Sequence, residues 1–175
     1  MDVSFRPLTE ADLPLVHEWL GREHVQRWWG EPGDLDGTIE HYGPSLDGRD
    51  PTDLYAIVVD GRDAGLIQTY IVADYPEYAA LIGVEENVAG LDLFLGEQAL
   101  LGRGLGTEII GRFVSEVVWA RGETFACVAD PDVDNVASLR AFEKAGFERV
   151  REFVDPEDGR LHALVRQNRI VSPAA

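Results

Sequence analysis

Val3-Ser4-Phe5-Arg6 alternates apolar and polar positions and predicts a short opening strand. Thr9-Glu10-Ala11-Asp12 has the form of a capping box, and Leu13, Val16 and Leu20 follow at helical spacing until Gly21 ends the helix. Residues 22–53 lose that periodicity. They are rich in Gly, Pro, Asp and Trp and read mainly as binding loops, with a short helix around residues 36–42. Residues 54–59 are a strand by composition, Asp60-Gly61 is a hairpin turn signal, and residues 65–72 return as the partner strand. A loop over 74–87 leads to a strand at 89–96, in which Leu91, Leu93 and Leu95 share one face. The longest helical pattern covers 104–121: Leu105, Ile109, Phe113 and Val117 recur about every fourth position, flanked by Ile110 and Val114. A strand over 123–129 follows. A helix from about 135 to 145 comes next, with Asp134 as N-cap and Gly146 as its stop. Residues 147–154 and 161–167, around Asp155-Pro156-Glu157-Asp158-Gly159, form a last hairpin pattern. The order β-α-loop-β-β-β-α-β-α-β-β predicts a mixed α/β chain, with residues 1–175 in one domain.

Composition narrows the class. A chain of 175 residues fits one ordinary domain, which buries roughly 70% of the surface its unfolded form exposes. Hydrophobic residues at 45% and charged residues at 27% exclude a disordered chain. The net charge of −17 repels phosphate backbones, so nucleic-acid and anionic-membrane binding are not expected. Such a surface attracts a polycation, or simply keeps the chain soluble. Cys127, the one cysteine, lies in an apolar run and reads as a buried structural thiol. Asp2-Val3-Ser4-Phe5-Arg6 has no signal-peptide character, and no run approaches the roughly 20 apolar residues that span a bilayer, so a soluble cytoplasmic protein is expected. His17, His24, His41 and His162 show no metal-ligand spacing, and neither a metal nor a covalent mechanism is expected.

The chemistry concentrates in Leu101-Gly102-Arg103-Gly104-Leu105-Gly106-Thr107, at the entry to the long helix. Closely spaced glycines let backbone N–H groups approach an anion, and a helix N-terminus adds roughly half a positive charge there. The run lacks the Gly-Lys-Ser/Thr of a P-loop, and Thr107 stands where a dinucleotide fold has its last glycine. Alone, the loop fits either a phosphate cradle or a tight packing turn.

The second constellation is Asp130-Pro131, then Asn135, Ala137, Arg140, Ala141 and Phe142-Glu143-Lys144-Ala145-Gly146-Phe147. With the glycine loop, over residues 88–150, it resembles the GNAT superfamily of acetyl-coenzyme A-dependent N-acetyltransferases. The resemblance implies a GNAT fold: a central, mostly antiparallel twisted sheet splayed between strands 4 and 5 and flanked by helices. It implies that Arg103, Gly104, Leu105, Gly106 and Thr107 cradle the coenzyme A pyrophosphate. Asn135 would bond the pantetheine arm, Lys144 would join the coenzyme site, and the strand through Leu93, Phe94 and Leu95 to Gly96 would polarise the acetyl carbonyl through a backbone N–H. Leu101 stands where many members have Gln or Arg. Phe142 stands where many have a Tyr whose hydroxyl protonates the departing thiolate.

Glu18-Trp19-Leu20, Trp28-Trp29-Gly30, Gln68-Thr69-Tyr70 and Gly90-Leu91-Asp92 extend the likeness to the aminoglycoside 6'-N-acetyltransferases, over most of the chain from about residue 5 to 167. That resemblance implies direct acetyl transfer to an amine of an antibiotic. Asp92 would be the group that orients and deprotonates it; a solvent-facing Asp on a half-buried strand is the plainer reading. Asp130, at the carboxyl end of a strand, would bind a second amine. Trp29 and Tyr70 offer flat faces to sugar rings or cations, and Glu85, Glu86, Glu152 and Asp155 would complete an acidic cleft. Two other readings stay open: N-acylation of a siderophore precursor or polyamine, and a non-catalytic acetyl-coenzyme A-binding module, which Phe142 would permit. Either a monomer or a homodimer is expected.

Overall fold

In the computed structural model residues 1–30 and 33–170 are described. The strands β1 (Val3–Pro7), β2 (Asp53–Val59), β3 (Arg62–Ile71), β4 (Val88–Leu95), β5 (Ala126–Ala129), β6 (Glu148–Val154) and β7 (Leu161–Asn168) hydrogen-bond in the order β1-β2-β3-β4-β5-β7-β6. Pairs β1/β2, β2/β3, β5/β7 and β6/β7 are antiparallel and β4/β5 is parallel. This is the mixed α/β sheet that the motif order predicts. The β4/β5 ladder has three rungs, from Val88↔Ala126 to Gly90↔Val128, and β4 runs on to Leu95 beyond it.

The chain divides into two compact units, Met1–Tyr70 with Leu91–Leu105, and Ile71–Gly90 with Gly106–Ala175. In the first, α1 (Leu13–Leu20) follows its capping box as expected, and Arg6 grips both Asp12 (2.8 Å) and Asp63 (2.6 Å). Hydrogen bonds from Arg6 hold the Asp12 carboxyl down at about 2. Asp60 and Gly61, at φ 49° and 77°, make the tight β2/β3 turn. Trp19, Leu20, Leu66 and Phe94 belong to the core, where a Cβ at Gly96 would overlap the Trp19 ring.

Residues 22–53 correct the reading as mainly loops: α2 (Glu23–Trp29) forms where no helix is expected, and the short helix expected around 36–42 is the longer α3 (Leu35–Leu46). Asp34 caps α3 by accepting from the Gly37 N–H at 3.0 Å. Each helix buries a narrow stripe, Val25 in α2 and Thr38 and Tyr42 in α3, which the surrounding Gly, Pro and Asp mask in the sequence. Residues 31 and 32 of that segment lie outside the described residues.

In the second unit, the expected 74–87 loop contains α4 (Pro76–Ile82), opened by Pro76, ended by left-handed Gly83 and anchored by buried Ile82. α5 (Leu105–Phe113) stops short of the expected 121. A five-residue π turn over Val114–Val118 follows, closed by Trp119 N–H donating to the Val114 carbonyl at 2.9 Å. The wider turn keeps both Val114 and Val118 buried. α6 (Val136–Lys144) is capped by Asn135, whose Oδ1 accepts from the Ser138 N–H at 3.1 Å, instead of by Asp134. The Asp134 N–H is itself turned onto Asp132 Oδ1 at 2.7 Å. Cys127 is completely buried in β5.

Candidate active site

Asp92 lies on β4 after fully buried Leu91 and is half-buried. Gln68 Nε2, on β3, donates to Asp92 Oδ2 at 3.1 Å, so the carboxylate is oriented by an amide. Tyr70 is also half-buried and follows Gln68 by two positions, which puts it on the same face of β3. Trp29, the last residue of α2, donates its Nε1–H to the Tyr42 hydroxyl at 2.9 Å, and its ring meets Phe94 edge-on at 4.9 Å. Burial pushes the Tyr42 phenol up to about 12, with the charge of Asp92 adding to the effect. Trp29 is thus fixed by one polar and one aromatic contact at the end of a helix that the sequence reading had as loop.

Beyond Leu93, Phe94 and Leu95, the backbone is held from several sides. The Leu95 carbonyl accepts from His24 Nε2 at 3.0 Å, and the Gly96 carbonyl from Arg22 at 2.9 Å. Gly96 N–H donates to the Ala64 carbonyl at 2.8 Å. The Gly96 amide is therefore committed within the fold and is not available to an oxyanion.

The loop into α5 is open. Gly102 and Gly104 adopt φ of 72° and 78°, and a Cβ at either would meet nothing within 4 Å. Leu101, Arg103 and Gly104 are exposed, Leu105 is buried, and Gly106 and Thr107 begin the helix half-buried. Positive φ at two glycines turns successive N–H groups outward just where a helix leaves its first donors unsatisfied, which suits a pyrophosphate. Gly106 packs closely on Ala141 of α6, where a Cβ would come to 3.3 Å, so the packing reading of the loop holds at that glycine. Asn135 spends its Oδ1 on the cap and keeps its NH2 as the donor end, while Lys144 is exposed in the last turn of α6.

A polar group gathers at the end of β5. Asp130 Oδ1 accepts from the Tyr78 hydroxyl at 2.9 Å, and Asp130, Asp155 and His162 bring ligand-type atoms within 4.8 Å of one another. His162 Nδ1 is 2.6 Å from the Asp130 carbonyl oxygen, and Nε2 is 3.0 Å from Asp158 Oδ2. The Asp130 carboxylate, 3.6 Å from Nδ1, does most to raise the His162 imidazole to about 10; burial opposes it, and the Asp130 carbonyl and Asp158 add to it. Both ring nitrogens face acceptors, which is the chemistry of an imidazolium and not of a metal ligand. Glu85 stands apart from this group: it is exposed and paired with Arg166 at 2.8 Å, which lowers its carboxyl. Glu86 is exposed, and Glu152 pairs with Arg149 at 3.3 Å. Sequence reasoning missed His162, because its partner Asp130 is 32 positions away and the β5/β7 register brings the two together.

Residues 9–155 match the sequence profile of the acetyltransferase (GNAT) domain. The chain belongs to the GNAT acetyltransferase family. Within it, the chain is 31% identical over 158 residues to the aminoglycoside N(6')-acetyltransferase type 1 of Klebsiella pneumoniae, covering 89% of this chain and 78% of that protein. A crystal structure of the aminoglycoside acetyltransferase AAC(6')-Ib with coenzyme A and kanamycin superposes with a TM-score of 0.85 at 30% identity, covering 96% of this chain and 95% of that one. Lysine N-acyltransferase MbtK of Mycolicibacterium paratuberculosis is more distant, 24% identical over 139 residues, covering 78% of this chain and 61% of that protein. No helix among the described residues of this GNAT chain is long and apolar enough to cross a membrane.

Proposed function

We propose that this chain transfers the acetyl group of acetyl-coenzyme A to the 6'-amine of aminoglycoside antibiotics and so confers resistance to them. The observation that carries the reading is Asp92, oriented by Gln68 and placed directly before the Leu93–Phe94–Leu95 stretch of β4. The likeness to AAC(6')-Ib with coenzyme A and kanamycin supports it. The chain works as one acetyltransferase domain, since the family match runs through both compact units.

Arg103, Gly104, Leu105, Gly106 and Thr107 hold the pyrophosphate of the cosubstrate, Asn135 donates to its pantetheine arm, and Lys144 adds a positive charge. Trp29 and Tyr70 present flat faces to the sugar rings, and the carboxylates of Asp130, Asp155, Glu85 and Glu86 attract the remaining ammonium groups. Asp92 accepts a proton from the bound ammonium. The neutral nitrogen then attacks the thioester carbonyl, a C–N bond forms, and a backbone N–H of the Leu93–Leu95 stretch steadies the oxyanion. The C–S bond breaks next, and the new amide nitrogen gives its extra proton to water. Phe142 is buried against Phe147, with ring centroids 5.0 Å apart, and has no hydroxyl to give, so the sulfur departs as thiolate and takes its proton from water. A thiol pKa near 8.5 makes that departure tolerable. Acetylation removes one positive charge from the drug and weakens its hold on ribosomal RNA. We place the reaction in the cytoplasm, carried out by a monomer or homodimer.

The test is release of coenzyme A thiol with kanamycin, spermidine and a hydroxylated lysine side by side, with mass analysis of the product. Kanamycin should gain one acetyl group. No turnover with any aminoglycoside removes the resistance reading, and turnover confined to the lysine-type amine favours the chemistry of the MbtK relatives. Asp92→Asn should lower kcat by about 10²- to 10⁴-fold while acetyl-coenzyme A affinity is kept. A variant with unchanged turnover would leave Asp92 without its role.

A further inference from the structure

The group at the end of β5 contains a cation of its own. A backbone carbonyl and an ionised carboxylate only accept hydrogen bonds, so His162 between the Asp130 carbonyl and Asp158 Oδ2 must donate from both ring nitrogens and carry a full positive charge. Burial opposes ionisation of Asp158, yet the Arg160 N–H and His162 together hold its carboxyl below the ordinary carboxylate range. Asp132 is matched separately by Arg160 at 2.6 Å, and the Phe153 ring lies 6.0 Å from the imidazole without adding charge. Asp130, Asp155 and Asp158 therefore surround one internal cation, with the Tyr78 hydroxyl as a further donor to Asp130.

We propose that His162 is a specificity-determining residue: its imidazolium offsets part of the negative charge of Asp130, Asp155 and Asp158, so these carboxylates hold a further ammonium of the acceptor less tightly and the enzyme's preference for acceptors of high positive charge is made less steep. The inference rests on the proposed reading, in which Asp130 faces the acceptor. An ammonium approaching Asp130 meets a like charge that is fixed by two hydrogen bonds and is only 14% exposed. A like charge built into a site discriminates by repulsion, independently of what attracts the correct substrate.

The experiment compares the wild type, His162→Gln and His162→Lys, with folding checked by circular dichroism. The acceptors are kanamycin, which carries several amines, and 6-amino-6-deoxyglucose, which carries only the reacting one. The ratio of kcat/KM for kanamycin to that for the monoamine should rise about three- to tenfold in His162→Gln, through KM and not kcat, and return to the wild-type value in His162→Lys. A ratio that is unchanged or lower in His162→Gln overturns the proposal, as does a Lys variant that behaves like Gln. The 15N spectrum of the wild-type imidazole at pH 8 should show both nitrogens protonated, and a neutral ring also overturns it. Kanamycin affinity by calorimetry separates the two readings. A wild type that releases no coenzyme A with kanamycin sinks the proposed reaction, whereas a Gln variant that binds kanamycin no more tightly sinks the role of His162.

Discussion

A hydrogen is the only substituent that fits at Gly96, because the Trp19 ring fills the space where a Cβ would stand. The same indole donates to Glu97 at 3.0 Å, and Arg22 clamps the Gly96 carbonyl and Glu97 together. The end of β4 is thus set by a packed aromatic and an ion pair, directly after the residues proposed to face the acetyl group. Gly96→Ala should cost about 1–3 kcal/mol by overpacking, read as a lowered urea midpoint with unchanged slope, and should depress acetyl transfer with it. Gly104→Ala is the contrasting case. Its Cβ would be in open space, so only the left-handed φ resists it, at a cost of about 1–2 kcal/mol. Equal destabilisation with no effect of Gly96→Ala on transfer would argue against this account of the strand end.

The hairpin of β6 and β7 carries its own dependence on pH. His162 is an ordinary imidazole near 6.5 in the unfolded chain and is raised to about 10 in the fold, principally by the Asp130 carboxylate. A raised pKa means that the native state binds the proton more tightly, so the stabilisation is complete below about pH 6.5 and is lost as pH rises toward 10. Unfolding free energy of the wild type should decline across that window, and His162→Gln should lack that slope; parallel curves would count against the imidazolium. At the acid end the sign reverses. Asp12 is lowered from 3.8 to about 2, chiefly by Arg6, and its contribution is present above 3.8 and fades as pH falls toward 2. Elements with a broad stripe or a decisive turn were legible in the sequence: α1 behind its capping box, the Asp60-Gly61 hairpin and the last two strands. The short helices α2 and α4 were not, since each of seven residues buries a single side chain and leaves no period to read. The candidate site divides in the same way. The glycine loop and Asp92 belong to contiguous motifs, whereas the partner of His162 is supplied by strand register alone.

At the scale of the whole molecule, a net charge of −17 acts on the two substrates in opposite directions. It draws a polycationic acceptor toward the surface and repels the anionic cosubstrate, and salt screens both effects over roughly 10 Å at 0.1 M. Raising ionic strength should therefore lower kcat/KM for kanamycin and leave the KM for acetyl-coenzyme A unchanged or improved. A common loss for both would show that the field of the protein is not what steers the amine. One further consequence follows from β5. The sole sulfhydryl of the chain is Cys127, sealed completely inside that strand, and a sealed sulfhydryl is inert to water-borne reagents. The native enzyme is therefore dark to a disulfide chromogen and yields one equivalent only on denaturation. In a continuous assay every increment of colour is then one molecule of spent coenzyme, with no background from the catalyst.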